Sequence, residues 1–100
     1  MKLVRLPNPR SSLYPAWMVT PEQMRAARAL IGWSREDLAK KSGVGAGTIK
    51  DFELNGSDPK QGTVQKWRRA LEQAGVEFLD PSEGKGPGVR LRDQREGKRK

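Results

Sequence analysis

The stretch of sequence that decides the fold is WSREDLAKKSGVGAGTIKDFELNG, residues 33–56. Ser34 predicts the start of a short helix, because a serine hydroxyl there accepts hydrogen bonds from free backbone N–H groups. Gly43 predicts the end of that helix, because helices often end on a left-handed residue and glycine adopts that conformation without strain. Ile49 and Phe52, three residues apart, predict the buried face of a second short helix. The stretch therefore predicts two short helices joined by a tight turn.

Another helix is predicted before this pair. Thr20 is a suitable N-cap, Pro21 fits the first helical position, and Gln23 completes a capping box. Gly32 predicts the end of the helix. Apolar residues recur every three or four positions and predict the face that is turned to the core, namely Met24, Ala27, Leu30 and Ile31.

A further helix and a β-hairpin are predicted after the pair. The helix covers about residues 60–74, where apolar residues again recur every three or four positions. Residues 76–79 (VEFL) and 89–92 (VRLR) alternate between apolar and charged side chains, and the turn-rich segment DPSEGKGPG, residues 80–88, separates them. Such alternation is typical of strands, so a hairpin is predicted over residues 76–92.

Both ends of the chain are basic. The chain has 100 residues and a net charge of +8, and six of the eight excess positive charges lie outside residues 20–79. Residues 1–19, with three prolines, predict an extended arm whose end packs on the domain, and a fully disordered arm is the alternative. Residues 93–100 predict a disordered basic tail. Basic ends favour a polyanionic partner, most often nucleic acid, over a role in solubility alone.

Composition and spacing exclude several kinds of site. The chain has no cysteine and no histidine, which removes disulfides, thiolate metal sites and the commonest general base. GVGAG, residues 43–47, is not a phosphate-binding loop, because no predicted strand precedes it and the Lys-Ser/Thr ending is absent. Asp51 and Glu53 point to different faces of one helix and are expected on a solvated surface. No catalytic residue, cofactor or metal is predicted.

Two further expectations concern the apolar residues. No apolar run approaches the ~20 residues that cross a membrane, and the N-terminus lacks the apolar core of a signal peptide. A soluble, cytoplasmic protein without a membrane partner is therefore expected. Trp33 and Trp67 are expected in or near the core and not as platforms for stacking on bases.

Residues from about 20 to 91 resemble the lambda-repressor-like helix-turn-helix family, also called Cro/CI or XRE type. The runs that carry the resemblance are TPEQMRAARALIGWSREDLA, SGV, TIKDFE and NG, followed by ALEQAGVEFL and GPGVRL. The resemblance implies an all-α fold, a compact bundle of four or five helices over residues 20–79 with a short C-terminal β-hairpin and flexible basic tails. Residues 34–55 would be the helix-turn-helix unit. It also implies transcriptional regulation by a dimer that inserts its third helix in the major groove.

The resemblance also implies which residues contact DNA. They are Arg35, Gly45, Ala46, Gly47, Thr48, Lys50 and Asp51. Gly45 and Gly47 have no side chain and Ala46 offers only a methyl group, so the bidentate contacts that identify guanine or adenine are missing there. Arg35 stands where the family often has glutamine, and it can reach a phosphate or a base as a longer, charged substitute.

Two interpretations follow from the scarcity of base-contacting side chains at the start of the third helix. In the first, DNA is bound through phosphates, helix ends, Lys50, Arg35 and a basic arm or tail, and its sequence is sensed through DNA shape. In the second, the fold serves protein contacts and the third helix no longer recognises DNA.

The expected function is that of a non-enzymatic, repressor-type regulator that binds double-stranded DNA as a homodimer. The alternatives are an antitoxin of a toxin–antitoxin pair that represses its own promoter, and a protein-interaction module of a larger assembly. A toxin or a component of that assembly would then be a protein partner. The hairpin is the candidate for dimer or partner contact, because short strands leave edges that another chain can extend.

Overall fold

A computed structural model describes residue 15 and residues 17–93 of the chain. Its elements, in order, are α1 (Pro21–Ile31), α2 (Arg35–Ser42), α3 (Ala46–Asn55), α4 (Gln61–Gln73), β1 (Val76–Leu79) and β2 (Gly88–Leu91). The predicted helical bundle with a C-terminal hairpin is confirmed, with four helices in the described part of the chain. The rest of the predicted N-terminal arm and most of the predicted tail, residues 94–100, lie outside the described residues. None of the described helices is long and apolar enough to cross a membrane.

Reciprocal capping boxes start the first two helices. In α1, Gln23 N–H donates to Thr20 Oγ1 at 3.0 Å, and Thr20 N–H donates to Gln23 Oε1 at 2.9 Å. Ser34 and Asp37 make the same two bonds at the start of α2, at 3.0 and 2.9 Å. Gly43 ends α2 with a φ of 80°, the left-handed conformation that the turn into α3 requires. These local signals fix where the helices begin and end.

The core lies between the helices and the inner face of the hairpin. Its apolar residues are Met18, Val19, Met24, Ala27, Leu38, Ile49, Phe52, Val64, Trp67, Ala70, Leu71, Val76 and Phe78. The Trp67 ring is fully buried, with its centroid 5.2 Å from that of Phe52, and Trp33 is partly buried against the same core. Both tryptophans are therefore core or near-core residues, as predicted.

One residue predicted to face the core from α1 does not. Leu30 is 40% exposed, whereas its neighbour Ile31 packs against the core. Successive helical residues are rotated by about 100°, so Leu30 lies at the edge of the buried face when Ile31 occupies it. The prediction for Leu30 was wrong for this reason.

The hairpin is bound to the helical bundle by its inner face and by one side chain of α1. β1 and β2 pair antiparallel, with Glu77 opposite Arg90 on the outer face and Phe78 buried on the inner face. Arg90 Nε donates to Glu77 Oε1 at 3.0 Å. Gln23 Nε2 donates to Gly88 O at 2.9 Å, which ties β2 to α1. β2 begins at Gly88, one residue earlier than predicted.

Candidate nucleic-acid interface

The N-terminal ends of α2 and α3 border one concavity. Its volume is about 480 Å³, and its lining residues are Arg28, Ser34, Arg35, Glu36, Ala46, Gly47 and Lys50. The first turn of a helix has backbone N–H groups without partners inside the helix, and its dipole places partial positive charge there. Two such ends at one concavity, together with three basic side chains, favour a negatively charged ligand.

The structure brings together four of the seven residues predicted to contact DNA. Arg35, Ala46, Gly47 and Lys50 line the concavity. The other three are exposed residues outside its lining, namely Gly45, Thr48 and Asp51. The Asp51 carboxylate already accepts a hydrogen bond from Asn55 Nδ2 at 2.8 Å. Thr48 and Lys50 thus carry the side chains of early α3 that have no such intramolecular bond within the described residues.

Packing does not require the two glycines at the start of α3. Gly45 is the N-cap with φ −60° and ψ 148°, an extended conformation that any residue can adopt. A Cβ built on Gly45 or Gly47 meets no atom within 4 Å. Larger side chains would therefore fit at both positions, and the bare surface is not imposed by the protein's own core.

The burial of Glu53 differs from the prediction. This residue was expected on a solvated surface, yet it is only 2% exposed. Arg28 donates from Nε to Glu53 Oε2 at 2.8 Å and from Nη2 to Oε1 at 2.7 Å. Arg35 Nε donates to the same Oε1 at 2.9 Å. A buried carboxylate needs opposite charge and hydrogen bonds, and these two arginines supply both, so the prediction was wrong.

A sequence signal for this burial was present in α3. Glu53 follows Ile49 by four residues and Phe52 by one, which places it on the face that carries the buried apolar residues. A charged residue on such a face needs a partner of opposite charge. The arginines that supply it are 25 and 18 residues away in the chain, so spacing along one helix could not identify them.

Glu53 and the three arginines that donate to it, Arg25, Arg28 and Arg35, form a cluster that connects α1, α2 and α3 beside the concavity. Arg28 of α1 also donates from Nη1 to Trp33 O at 3.0 Å, in the connection between α1 and α2. Arg25 donates from Nη1 to Glu53 O at the C-terminal end of α3. The lining of the concavity has three basic residues, Arg28, Arg35 and Lys50, and one carboxylate, Glu36, and the buried carboxylate of Glu53 behind it lowers the summed charge of these five residues to +1.

The family comparison covers the elements that form this concavity. Residues 24–77 match a family model described as helix-turn-helix, from α1 into β1. No curated protein matches the chain. The matched family consists of DNA-binding regulatory domains and not of enzymes. Because the match covers more than half of the chain, this protein belongs to the lambda-repressor-like helix-turn-helix family of DNA-binding regulators.

Proposed function

We propose that the protein is a repressor-type transcriptional regulator that binds double-stranded DNA as a homodimer, with α3 in the major groove. The observation that carries this proposal is the concavity where two helix N-termini meet the side chains of Arg28, Arg35 and Lys50. Helix N-termini and basic side chains are the groups that bind DNA phosphates. The proposed activity is DNA binding without catalysis. The proposed location is the cytoplasm.

Affinity would come mainly from phosphate contacts. Lys50 is exposed on α3 and Arg35 is partly exposed on α2, and both side chains are basic. Each phosphate that is neutralised releases counterions, so the logarithm of the affinity falls with the logarithm of the salt concentration by about 0.9 per contact. A steep salt dependence is therefore expected.

Base recognition would be sparse. Ala46 offers a methyl group that suits the thymine methyl, and Thr48 and Lys50 offer hydrogen-bonding groups. Asp51 has less capacity to accept from a cytosine, because Asn55 already donates to its carboxylate. DNA shape and deformability would then supply much of the sequence preference.

The hairpin is the proposed dimer contact. β1 and β2 are each four residues long, and in the described part of the chain they form a two-stranded sheet with an unpaired outer edge on each side. A second copy could extend such an edge by backbone hydrogen bonds. A two-fold dimer would bind two half-sites about 34 Å apart, one turn of DNA.

A second function is favoured by the lack of base-contacting side chains at the start of α3, where Gly45, Ala46 and Gly47 lie. If α3 does not contact bases, the same fold could serve as a protein-interaction module of a larger assembly. Such a protein would bind DNA weakly or not at all, so one binding experiment separates the two functions.

That experiment is selection of bound fragments from the source genome, followed by affinity measurements over a range of salt concentrations. Lys50→Ala should weaken binding and lower the salt slope by about one. Lys66→Ala is the matched control, because Lys66 is also an exposed lysine but lies on α4 outside the concavity. Absence of any selected fragment, or affinity that does not change with salt, would exclude the proposed regulator and favour the protein module.

A further inference from the structure

We propose that the buried residue Glu53 is a positioning residue that orients the guanidinium group of Arg35 toward a DNA phosphate. This inference rests on the proposed function, since it assigns a role in DNA binding to a residue that DNA itself does not contact. It also explains why a carboxylate is buried beneath a surface that should attract polyanions.

The first supporting observation is that two arginines, Arg28 and Arg35, donate hydrogen bonds to the Glu53 carboxylate. The Glu53 side chain is fully buried, the Arg28 side chain is 16% exposed and the Arg35 side chain is 29% exposed. Arg28 occupies both carboxylate oxygens, and Arg35 adds a bond from Nε to Oε1. Arg28 is thus the inner partner, and Arg35 is the outer partner that still reaches solvent.

The second support is the set of donors that Arg35 keeps. Its bond to Glu53 uses Nε, and among the described residues no acceptor bonds to either terminal amino group. Arg35 also lines the concavity between the ends of α2 and α3. A guanidinium that is held through Nε presents its remaining N–H groups in a fixed fork, which matches the spacing of phosphate oxygens.

The third support is conformational entropy. A free arginine side chain on a surface loses many rotamers when it binds a ligand. The bond from Arg35 Nε to Glu53 already restricts the side chain before DNA binds, so the side chain loses less conformational entropy on binding. A lysine has no Nε donor of this geometry and could not be held in the same way.

An effect of Glu53 through its charge alone and an effect through the position of Arg35 predict opposite changes in DNA affinity for the Glu53→Gln variant. Glu53→Gln keeps the size of the side chain but removes its negative charge, so the summed charge of Arg28, Arg35, Lys50, Glu36 and residue 53 rises from +1 to +2. If Glu53 only reduced the attraction for DNA, this variant would bind more tightly. If Glu53 positions Arg35, the variant binds more weakly.

The test measures equilibrium binding to a mixed-sequence double-stranded oligonucleotide over a range of salt concentrations, with the full-length protein. Arg35→Lys should weaken binding about tenfold with little change in the salt slope, because the charge stays and the fork is lost. Arg35→Ala should weaken binding further and lower the slope by about one. Arg69→Lys and Arg69→Ala are the controls at an exposed arginine on α4 outside the concavity, and they should leave both quantities close to the wild type.

A double-mutant cycle shows whether Glu53 acts through Arg35. Glu53→Gln should weaken binding in the wild-type background and have little further effect when Arg35 is already alanine. Thermal unfolding of each variant establishes that it is folded at the assay temperature. If Glu53→Gln does not fold, Arg35→Lys still tests the positioning role, because that substitution leaves the Arg28–Glu53 pair in place and binding equal to the wild type overturns that role.

The outcomes separate this inference from the proposed function. If the wild type does not bind DNA, both are overturned. If the wild type binds and Arg35→Lys binds equally well, only the positioning role of Glu53 is overturned. Tighter binding by a folded Glu53→Gln variant, or an equal effect of that substitution with and without Arg35, would also overturn the positioning role alone.

Discussion

Replacing Gly47 with alanine should stabilise the protein. Gly47 is the second residue of α3, it is exposed, and a Cβ at this position meets no atom within 4 Å. Alanine is more favourable than glycine in a helix, and we expect a gain of about 0.5–1 kcal/mol, toward the lower end because the first turn is the least constrained part. For a domain of this size such a gain raises the Tm by about 2–8 °C.

The chain contains a matched control for this substitution. Gly62 is the second residue of α4, it is also exposed, and a Cβ there likewise meets no atom within 4 Å. Gly62→Ala should therefore give a similar gain in stability. Thermal unfolding followed by circular dichroism, with denaturant titrations for the free energy of unfolding, measures both variants against the wild type.

DNA binding should distinguish the two glycines. If the backbone at the start of α3 approaches DNA closely, the methyl group of Gly47→Ala weakens binding, whereas that of Gly62→Ala does not. A lower Tm for Gly47→Ala would refute the claim that packing leaves this position free. Equal DNA affinity of the two variants would refute the close approach of the α3 backbone to DNA.

Two other predictions concern acid stability and assembly. Ser34 N–H donates to the Asp37 carboxylate and holds the pKa of Asp37 below its ordinary value of 3.8, with smaller contributions from the Ser34 hydroxyl and nearby lysines. The stability that Asp37 contributes is therefore present above pH 3.8 and is lost as the pH falls below 3.8 and through the lower pKa of the folded state, so the wild type should lose more stability than Asp37→Asn when the pH is lowered from neutrality to below 3.8. Denaturant titrations at each pH check this, and equal losses would contradict it. Arg92 N–H donates to Gly75 O, so the alternation of an antiparallel pair directs the Leu91 N–H to the outer edge of β2. If that edge joins two subunits, Leu91→Pro should give a monomer by light scattering and Leu91→Ala, which keeps the N–H, should not; a folded Leu91→Pro dimer would exclude this edge as the interface.

Most of the fold was predictable because local chemistry determines it. Thr20 and Ser34 were identified as N-caps from residue type, and Gly43 was identified as the end of α2 from its freedom to adopt a positive φ. The periodicity of Ile49 and Phe52 identified the buried face of α3. Each of these signals depends on residues close together in the chain, which a sequence displays directly.

The arrangement of the candidate site was less predictable because it depends on residues that are distant in the chain. The resemblance identified Arg35 and Lys50, and the structure places both on the same concavity. The spacing of Glu53 from Ile49 indicated the buried face of α3, but the partners that make its burial possible, Arg28 and Arg35, come from two other helices and could not be identified from that spacing. Whether a charged side chain is solvated or buried is decided by the tertiary contacts of all three helices and not by any one of them.

The Gln23 side chain has a consequence for how the protein is made. Its Oε1 caps α1 at the beginning of the domain, whereas its Nε2 binds Gly88 O, 65 residues later in the chain. Closing a loop of that length costs chain entropy that local helix formation does not. During synthesis this bond cannot form until Gly88 has left the ribosome. The first helix and the last described strand therefore become joined only after all the elements between them have been synthesised, and a contact between such distant residues forms more slowly than the local contacts within a helix.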